Sequence, residues 1–542
     1  MGSSRHRHWA IVCVVIVATL VAHGRATADD RTNIPLKNWG GFSLYRDAVY
    51  DDLERLVAAG LADRAILNTK PINRTEAARM VARAIAKIRS GEGVYNSRQD
   101  LEPVLDRLIE EFRPELAALG MKLPTGPASA PPPPFFSFTP VDRAQVRAGY
   151  VSRDLRLEDR QGLRWKQGAN AGATFESRAQ IGDVVTFYLQ PEVHGNEYFG
   201  QASIATGYVK LTAFNVELQA GRDSLWWGPG YHGSLIMSNN APPLDHVRIG
   251  AAEPFQIPLI GEWVGPTKIL AFFAQLEKNR DVPHADLFGL RGTVSPATFL
   301  ELGASYVNMF GGDTPPRLRS GDYFRVLFDP RASDQGLGTA QRFRNNALFA
   351  LDAELRFHDV SRFYIPAQDL RVYGEFGWDD TCCSSSFIPL RAATSYLFGA
   401  NLLGLLGQEG LDGRVEFAST STLSFTHNQF FQGYETRGYV LSHFIGTDGL
   451  DIFTRVTKRM SSDLQIGLGM RRSEIGNTML NGLAVLPKET RFGGSLDVTY
   501  RFLPKWSLFT QLDLFRTTNR NFVAGDTGID GLVLVELTRS FR

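Results

Sequence analysis

The chain has 542 residues, of which 43% are hydrophobic and 21% are charged, and its formal net charge is +1 at pH 7. This composition excludes a disordered chain, which would be poorer in apolar residues. The near-zero charge excludes a basic nucleic-acid-binding protein. Beyond the N-terminus, no apolar run approaches the ~20 residues of a membrane-spanning helix. The 52 Gly and 36 Phe residues instead indicate many short strands joined by tight turns.

The first 28 residues are predicted to be a secretory signal peptide. Basic residues at 5–8 precede an apolar run at 9–22, and the small-x-small sequence Ala-Thr-Ala at 26–28 offers a cleavage site. A membrane anchor is the weaker alternative, because the run is too short to span a bilayer comfortably. The segment contains three arginines and no acid, so its removal changes the formal charge from +1 to −2.

Residues 29–120 are predicted to form a small helical domain, the head, on the periplasmic side. Apolar residues recur at helical spacing over 53–61, and Gly60 is placed to end that helix. A second helix is predicted to begin after Asn73, whose side chain can cap it while Glu76 reaches back to form a capping box.

A third helix is predicted over about 100–119, with Pro114 dividing or kinking it. A proline-rich linker follows over 121–138, because a polyproline run without helix or strand signal acts as a semi-rigid spacer. The remaining residues, 139–542, are predicted to form one large β domain.

Within the head, residues 71–78 read Pro-Ile-Asn-Arg-Thr-Glu-Ala-Ala and resemble half of an S-layer-homology module. In such modules a helical pair contacts cell-wall polymer, so the resemblance implies peptidoglycan as a partner of the head. The alternative is a small helical bundle that simply packs on the rest of the chain.

Beyond the linker the hydrophobic period changes from 3.6 to 2. Leu464, Ile466, Leu468 and Met470, for example, alternate with polar or small residues. A soluble β-sandwich also alternates, but segments of about ten residues are long enough for tilted strands to cross a bilayer. The chain end, with aromatic Phe541, resembles the C-terminal strand signal of outer-membrane proteins. We therefore predict a mainly β fold, a transmembrane antiparallel β-barrel of about 18 strands.

Two further patterns support a membrane barrel. Aromatic residues cluster towards segment ends, where interfacial girdles lie; they include Trp378, Tyr500, Phe502, Trp506 and Phe515. Long connections rich in turn residues are predicted either to fold inwards or to cap the opening; they lie around 222–262, 311–346, 379–391 and 517–530.

The segment Trp226–Pro243 cannot be a regular strand or helix. It reads Trp-Trp-Gly-Pro-Gly-Tyr-His-Gly-Ser-Leu-Ile-Met-Ser-Asn-Asn-Ala-Pro-Pro, which describes a tightly turned loop with positive-φ positions. The candidate site residues are Trp226, Trp227, Gly228, Pro229, Gly230, Tyr231, Ser234, Ser238, Asn239 and Asn240.

This segment resembles the signature of the Wzi family of capsule assembly proteins, and the layout of signal, helical head and barrel is similar as well. The resemblance implies an outer-membrane barrel of about eighteen strands that anchors capsular polysaccharide as a lectin does. Two readings of the motif stay open. Its aromatic rings can stack on sugars while its asparagines bond hydroxyls, or the loop can form a structural plug in the lumen.

The sequence gives little support to a catalytic or metal-binding function. Acids such as Glu192, Glu217, Asp352, Glu354, Glu375 and Asp497 invite a glycosidase hypothesis, but their interleaving with arginines indicates a solvated, mutually neutralising lumen lining. The histidines lack metal-ligand spacing, and no phosphate loop or nucleophile elbow is present. The adjacent pair Cys382 and Cys383 cannot staple a fold. We predict no metal, no cofactor and no enzymatic activity.

The sequence thus predicts a lectin-like protein of the bacterial outer membrane that binds or anchors capsular polysaccharide or exopolysaccharide. Its other expected partners are outer-membrane lipid and, through the head, peptidoglycan; nucleic acid is not among them. Two alternatives remain, a porin that passes small solutes and a structural barrel tethered to peptidoglycan.

Overall fold

The structure, a computed structural model, describes residues 31–36, 48–91, 99–121, 135–156, 158–314, 318–328, 344–379, 394–427, 429–476, 486–503 and 505–541. The predicted signal peptide and the pair Cys382 and Cys383 lie outside these residues. So does most of the predicted linker, although its last residues, from Phe136, already belong to the first strand of the sheet.

The head contains helices α1 (Ala48–Ala58), α2 (Arg74–Arg89), α3 (Glu102–Glu111) and α4 (Arg113–Ala118). Helix α1 stops before Gly60, whose φ of +70° suits a residue without Cβ. Helix α3 ends at Glu111 and α4 begins at Arg113 with Pro114 in its first turn, so the predicted division of the third helix is confirmed. Two short helices, α5 (Gly261–Val264) and α6 (Asp322–Phe328), lie in connections of the sheet. Within the described parts of the chain, no helix is both long and apolar enough to cross a membrane.

The start of α2 follows the prediction only in part. The side-chain oxygen of Asn73 accepts a hydrogen bond from the backbone N–H of Glu76 (2.8 Å), so the predicted cap is confirmed. The reciprocal half of the capping box is wrong, because the Glu76 carboxylate instead accepts from Lys268 Nζ (2.5 Å) on the barrel wall. Glu76, which was expected to cap the start of its own helix, therefore joins the head to the barrel.

Eighteen antiparallel strands close into one barrel. They are β1 (Phe136–Val151), β2 (Gly168–Ile181), β3 (Val185–Asn196), β4 (Phe199–Ala213), β5 (Val216–Asp223), β6 (Leu244–Ala251), β7 (Thr267–Gln275), β8 (Asp286–Ala297), β9 (Leu300–Phe310), β10 (Asn345–Phe357), β11 (Asp369–Asp379), β12 (Thr394–Leu403), β13 (Leu411–Thr420), β14 (Leu450–Arg459), β15 (Leu464–Ile475), β16 (Glu489–Leu503), β17 (Trp506–Thr518) and β18 (Thr527–Ser540). Strand β18 pairs with β1 from Ser540 opposite Arg143 to Leu532 opposite Val151, which closes the sheet. The predicted fold class is confirmed.

Alternation along the strands separates an apolar outer surface from a polar lumen. On β15, Leu468 and Met470 are 58% and 53% exposed, whereas Arg471 is buried on the lumen side. A barrel surrounded by lipid needs this arrangement. The girdle prediction is wrong for Phe515, which lies buried on the lumen side with the guanidinium of Arg491 over its ring at 5.7 Å.

The two ends of the barrel differ in their connections. The short-turn end has two-residue turns at 214–215 and 298–299, whereas the long-loop end has extended connections at 224–243 and 421–449. The predicted single loop over 222–262 is wrong, because strand β6 divides it into connections that lie at opposite ends.

Candidate functional site

The connection between β5 and β6, residues 224–243, folds into the barrel, and we name it the lumen loop. All its residues except Pro242 and Pro243 are buried. Every predicted site residue from Trp226 to Asn240 therefore lies inside the barrel, where its neighbours are other protein groups. The contacts below follow the loop in chain order.

The two tryptophans join the loop to the head and to the barrel wall. Trp226 pairs as a strand with Lys70 and Trp227 with Thr69, so the loop and the head share a two-stranded sheet. The ring of Trp226 packs in the core of the head, whereas the ring of Trp227 meets Phe272 of β7 edge-on at 5.4 Å. One dipeptide thus connects two parts of the molecule that are remote in sequence.

The turn that follows needs glycine. Gly228 has a φ of +127°, a conformation that other residues adopt at a cost, and its N–H donates to Asn68 O of the head (2.9 Å). The carbonyl of Pro229 accepts from Arg371 Nη2 (3.2 Å). A Cβ on Gly230 would lie 2.0 Å from the carbonyl oxygen of Gly233, so the chain has no room for a side chain there.

Buried carboxylates of the barrel wall accept hydrogen bonds from the next residues of the loop. The backbone N–H groups of Tyr231 and His232 donate to the Glu416 carboxylate at 2.7 and 2.8 Å. The backbone N–H of Leu235 donates to Glu375 Oε2 at 3.0 Å, and the Ser234 hydroxyl bonds the carbonyl of Trp227. Glu375, one of the acids weighed for glycosidase chemistry, therefore holds the loop in place.

The serine and asparagines bond backbone carbonyls of other segments. Ser238 Oγ donates to Ser442 O at 2.6 Å, and Asn240 Nδ2 donates to Val440 O at 2.9 Å. Asn239 Nδ2 donates to Leu36 O at 2.9 Å. The connection 421–449, which supplies two of these carbonyls, also folds into the lumen. Sequence reasoning missed it, because it has no periodicity and no motif.

The lumen lining is a set of ion pairs. Glu192 pairs with Arg147, Glu217 with Lys210 (3.1 Å) and Arg248 (2.8 Å), Asp352 with Arg291 (2.7 Å), Glu354 with Arg356 (2.6 Å) and Arg371 (2.6 Å), and Asp497 with Arg455 (2.7 Å). The predicted mutual neutralisation is confirmed. The prediction that these groups are solvated is wrong for Glu217, Asp352, Glu354 and Asp497, which are buried, Glu354 being only 1% exposed. Glu192 is half-buried and lines an open cleft.

The head fills the short-turn end of the lumen. Arg291 of β8 donates to Thr69 Oγ1 (2.7 Å) and to Asn68 O (2.9 Å), both in the head. From the head, Glu54 of α1 pairs with Arg371 of β11 at 3.2 Å. The head is therefore docked against the wall by buried polar contacts, and together with the lumen loop it forms the plug.

The side chains of the S-layer-like segment are used inside the protein. Arg74 is 3% exposed and bonds Glu115 (2.5 Å) and Glu111 (2.7 Å), while Glu76 bonds Lys268 of the wall. Thr75 is buried as well. In this arrangement the segment stabilises the head and its docking.

Above the plug, a cleft of about 570 Å³ opens at the long-loop end. Its walls are the inner faces of β1 to β4 and the connection 152–167, and Tyr439 lies at its edge. Gln161 and Gly162 line it, and their N–H groups donate to Asn239 O (2.6 Å) and Asn240 O (3.0 Å) of the lumen loop. The motif asparagines thus help to support a surface open to solvent.

The cleft is strongly cationic. One carboxylate, Glu192, faces six cations, which are Arg147, Arg160, Arg164, Lys166, Arg222 and Arg437. Burial lowers the pKa of Arg160 to about 9, so neighbouring acids do not fully offset its desolvation. Sequence reasoning missed this site, although the run Arg160-Gln-Gly-Leu-Arg-Trp-Lys166 was a visible signal of clustered charge.

Where the structure describes the chain, no group of three His, Cys, Asp or Glu residues is arranged to hold a metal ion. His232, a motif residue, bonds Asp451 through Nδ1 (2.6 Å), and Asp451 also accepts from Ser473 Oγ (2.5 Å). The carboxylate lies between the other two groups, so this is not a nucleophile activated by a histidine.

Acid is expected to weaken the plug through His443. This fully buried side chain packs against Gly233, and burial lowers its pKa from 6.5 to about 4; His232 also lowers it, whereas Asp451 raises it. Between these pH values the unfolded chain binds the proton more tightly. The contribution of neutral His443 to the free energy of unfolding should therefore be complete above pH 6.5. It should fall by about 3 kcal/mol as the pH approaches 4.

Urea unfolding in detergent micelles, followed by circular dichroism at pH 7 and pH 4.5, measures this slope. The variant His443→Gln is the control, because glutamine at this position does not titrate while the other titratable groups are unchanged. An equal pH dependence in both proteins would show that His443 is not responsible.

The chain is similar to known proteins both in sequence and in fold. The profile of the family described as Capsule assembly protein Wzi matches residues 142–529. A curated Klebsiella pneumoniae protein, described as an uncharacterized 55.8 kDa protein in the cps region, is 28% identical over 282 residues. That stretch is 51% of this chain and 52% of the relative, so the chain spans about half the length of the curated relative it matches.

A solved Escherichia coli structure shares the fold. It is described as Wzi, an outer membrane protein involved in group 1 capsule assembly and a carbohydrate-binding β-barrel. The TM-score is 0.65 at 22% sequence identity, with 93% of this chain and 99% of that chain covered. The family profile covers well over half of the 542 residues. The chain therefore belongs to the Wzi family of capsule assembly proteins.

Proposed function

We propose that this protein is a non-enzymatic, lectin-like barrel of the outer membrane that holds capsular polysaccharide or exopolysaccharide at the cell surface. The observation that carries the proposal is a lumen filled by the plug, with an open cleft of about 570 Å³ above it. A cleft of this size falls in the usual range of ligand sites, roughly 300–1,000 Å³. Family membership and the carbohydrate binding described for the Escherichia coli relative support the same function.

The orientation follows from the connections. Bacterial outer-membrane barrels have short periplasmic turns and longer extracellular loops. The long-loop end, with the cleft, would then face the outside, and the head would lie on the periplasmic side. The exposed apolar outer surface would contact membrane lipid, and the predicted signal peptide would direct the chain to export.

A binding role also agrees with how the acids are used. Glu375 and Glu416 accept hydrogen bonds from loop backbone, and Glu354 is held between Arg356 and Arg371. Glycosidases need two carboxylates at a defined separation on opposite sides of one sugar bond. The cleft contributes only Glu192, which Arg147 already pairs. This distribution favours retention of a polymer without cleavage.

The contribution of the motif would then be indirect. Trp226, Trp227 and the neighbouring glycines lie buried in the plug, while Asn239 and Asn240 support the cleft floor. We propose that the motif shapes the binding surface without itself stacking on sugars. Peptidoglycan, the partner implied by the resemblance at 71–78, fits this arrangement less well, because Arg74 and Glu76 are bonded inside the protein.

Binding is tested by incubating the purified full-length protein in detergent with the capsular polysaccharide of its own host. Retention of the polymer on immobilised protein is the expected result, with its chain length unchanged after incubation. Absence of retention would contradict the lectin role, and shortened polymer would contradict the non-enzymatic one.

Conductance distinguishes this proposal from a porin. Because the head and the lumen loop fill the lumen, wild-type protein in planar bilayers should show no stable ion conductance. Replacing residues 226–240 with a short Gly-Ser linker removes part of the plug and should produce open-channel events. Steady conductance by the wild type would favour the porin alternative.

A further inference from the structure

The cleft at the long-loop end is lined by amide, aromatic and charged side chains. Its amide side chains are Gln145, Gln190 and Gln201. Its aromatic groups include Tyr439 and the pair Phe199 and His194, whose rings meet edge-on at 5.9 Å. Amides donate and accept at once, as vicinal hydroxyls require, and aromatic faces suit the apolar faces of sugar rings. These groups alone would suit a neutral glycan.

The charges make the cleft selective. Glu192 is the one acid among six lining cations. Two more acids, Asp154 and Asp245, pair with Lys166 and Arg222 at 2.6 Å each. Even when both are counted, cations exceed acids by three. A protein that held a neutral polymer would gain nothing from this excess, because like charges gathered in one cleft repel each other.

Arg160 shows that the excess reaches the floor of the cleft. It is 4% exposed, and its Nη2 donates to the neutral amide oxygen of Gln511 (3.2 Å). Burial is the largest effect on the pKa of Arg160 and lowers it; Asp513 and Glu536 raise this pKa in part, and Arg147, which also lines the cleft, lowers it. An anionic group entering the cleft would act in the same direction as the two acids. Arginine binds carboxylates in a bidentate manner, which adds geometric selectivity to charge.

We propose that this cleft is the polysaccharide site and that it takes a segment of a carboxylate-bearing, polyanionic polysaccharide. The inference rests on the proposed function and adds the location and the chemical class of the ligand. The carboxylates face Arg147 and Arg160, while Arg164, Lys166 and Arg437 steer the polymer at the rim. The amides and rings bind the hydroxyls and apolar faces of the same sugars.

A matched pair of double variants tests the location. Arg164→Gln/Lys166→Gln removes two exposed cations of the cleft. Arg472→Gln/Lys488→Gln removes two exposed cations at the same end of the barrel that do not line it. Lys166 and Lys488 both form ion pairs with an exposed aspartate, at 2.6 and 2.8 Å, so the two changes are chemically alike. Circular dichroism is the check that both variants are folded before their affinities are compared.

The ligands are the host capsular polysaccharide and the same polymer after chemical reduction of its carboxyl groups to alcohols. The dissociation constant of the full-length protein in detergent is measured for each by biolayer interferometry. Wild type should bind the native polymer at least about tenfold more tightly than the reduced one. The cleft variant should lose about tenfold in affinity for the native polymer, and the control variant less than about twofold.

The outcomes separate this inference from the proposed function. If wild type binds neither polymer, the lectin role itself fails. If it binds both equally well, the lectin role stands and the polyanionic ligand is wrong. If the two double variants lose affinity equally, the effect is one of general surface charge and the location in the cleft is wrong.

Discussion

The variant Trp226→Ala is expected to lower the free energy of unfolding by about 3–5 kcal/mol, the range for a fully buried tryptophan. Trp226 is 1% exposed and packs with α1 and α2 in the core of the head, although it belongs to the lumen loop. Its removal leaves a cavity where the head meets the loop. Urea unfolding in detergent micelles, followed by circular dichroism, measures the change.

The control is Trp263→Ala in α5 at the short-turn end. Trp263 is 84% exposed, so its replacement should change the free energy of unfolding by less than about 0.5 kcal/mol. Equal effects of the two substitutions would contradict the assignment of Trp226 to the joint between head and loop. A loss confined to Trp226→Ala would show that the motif is first of all structural.

The variant Arg291→Met is expected to cost about 3–5 kcal/mol, because it leaves a buried carboxylate without its partner. Arg291 donates to Asp352 Oδ2 (2.7 Å) and Oδ1 (3.1 Å) within the wall. It also holds Thr69 and Asn68 of the head. Its loss should therefore loosen the docking of the head as well as destabilise the wall.

Limited proteolysis of the head measures docking separately from global unfolding. Residues 48–121 should be cleaved faster in Arg291→Met than in wild type at a temperature where both barrels remain folded. The control Arg472→Met removes an exposed arginine that pairs with Glu474 (2.8 Å) and should cost less than about 1 kcal/mol. Unchanged cleavage of the head in Arg291→Met would contradict its proposed role in docking.

The lumen of this barrel is filled by folded protein. Membrane barrels of this size enclose a lumen large enough to conduct solutes. Here the lumen loop, the connection 421–449 and the head occupy it, and buried ion pairs neutralise its wall. Above this filling, the cationic cleft stays open, an arrangement that agrees better with the proposed surface binding than with transport.

The sequence by itself determined the fold class because membrane strands obey a local rule. Lipid accepts apolar side chains on every second residue, so segments such as Leu464–Ile475 reveal their outer face without reference to any partner. Capping and stop signals are local as well, which is why Asn73, Gly60 and Pro114 were read correctly. The motif at 226–243 was recognisable because its glycines, prolines and tryptophans exclude regular structure.

Only the tertiary structure decided what those segments meet. Trp226 pairs with Lys70 and Glu76 bonds Lys268, contacts across more than 150 residues of sequence that no local period encodes. The inner faces of the strands are polar whether a lumen is open or filled, so periodicity could not distinguish a pore from a plug. The cleft gathers cations from β1, β5 and the connections 152–167 and 421–449. Their concentration at one place depends on how eighteen strands close into a ring.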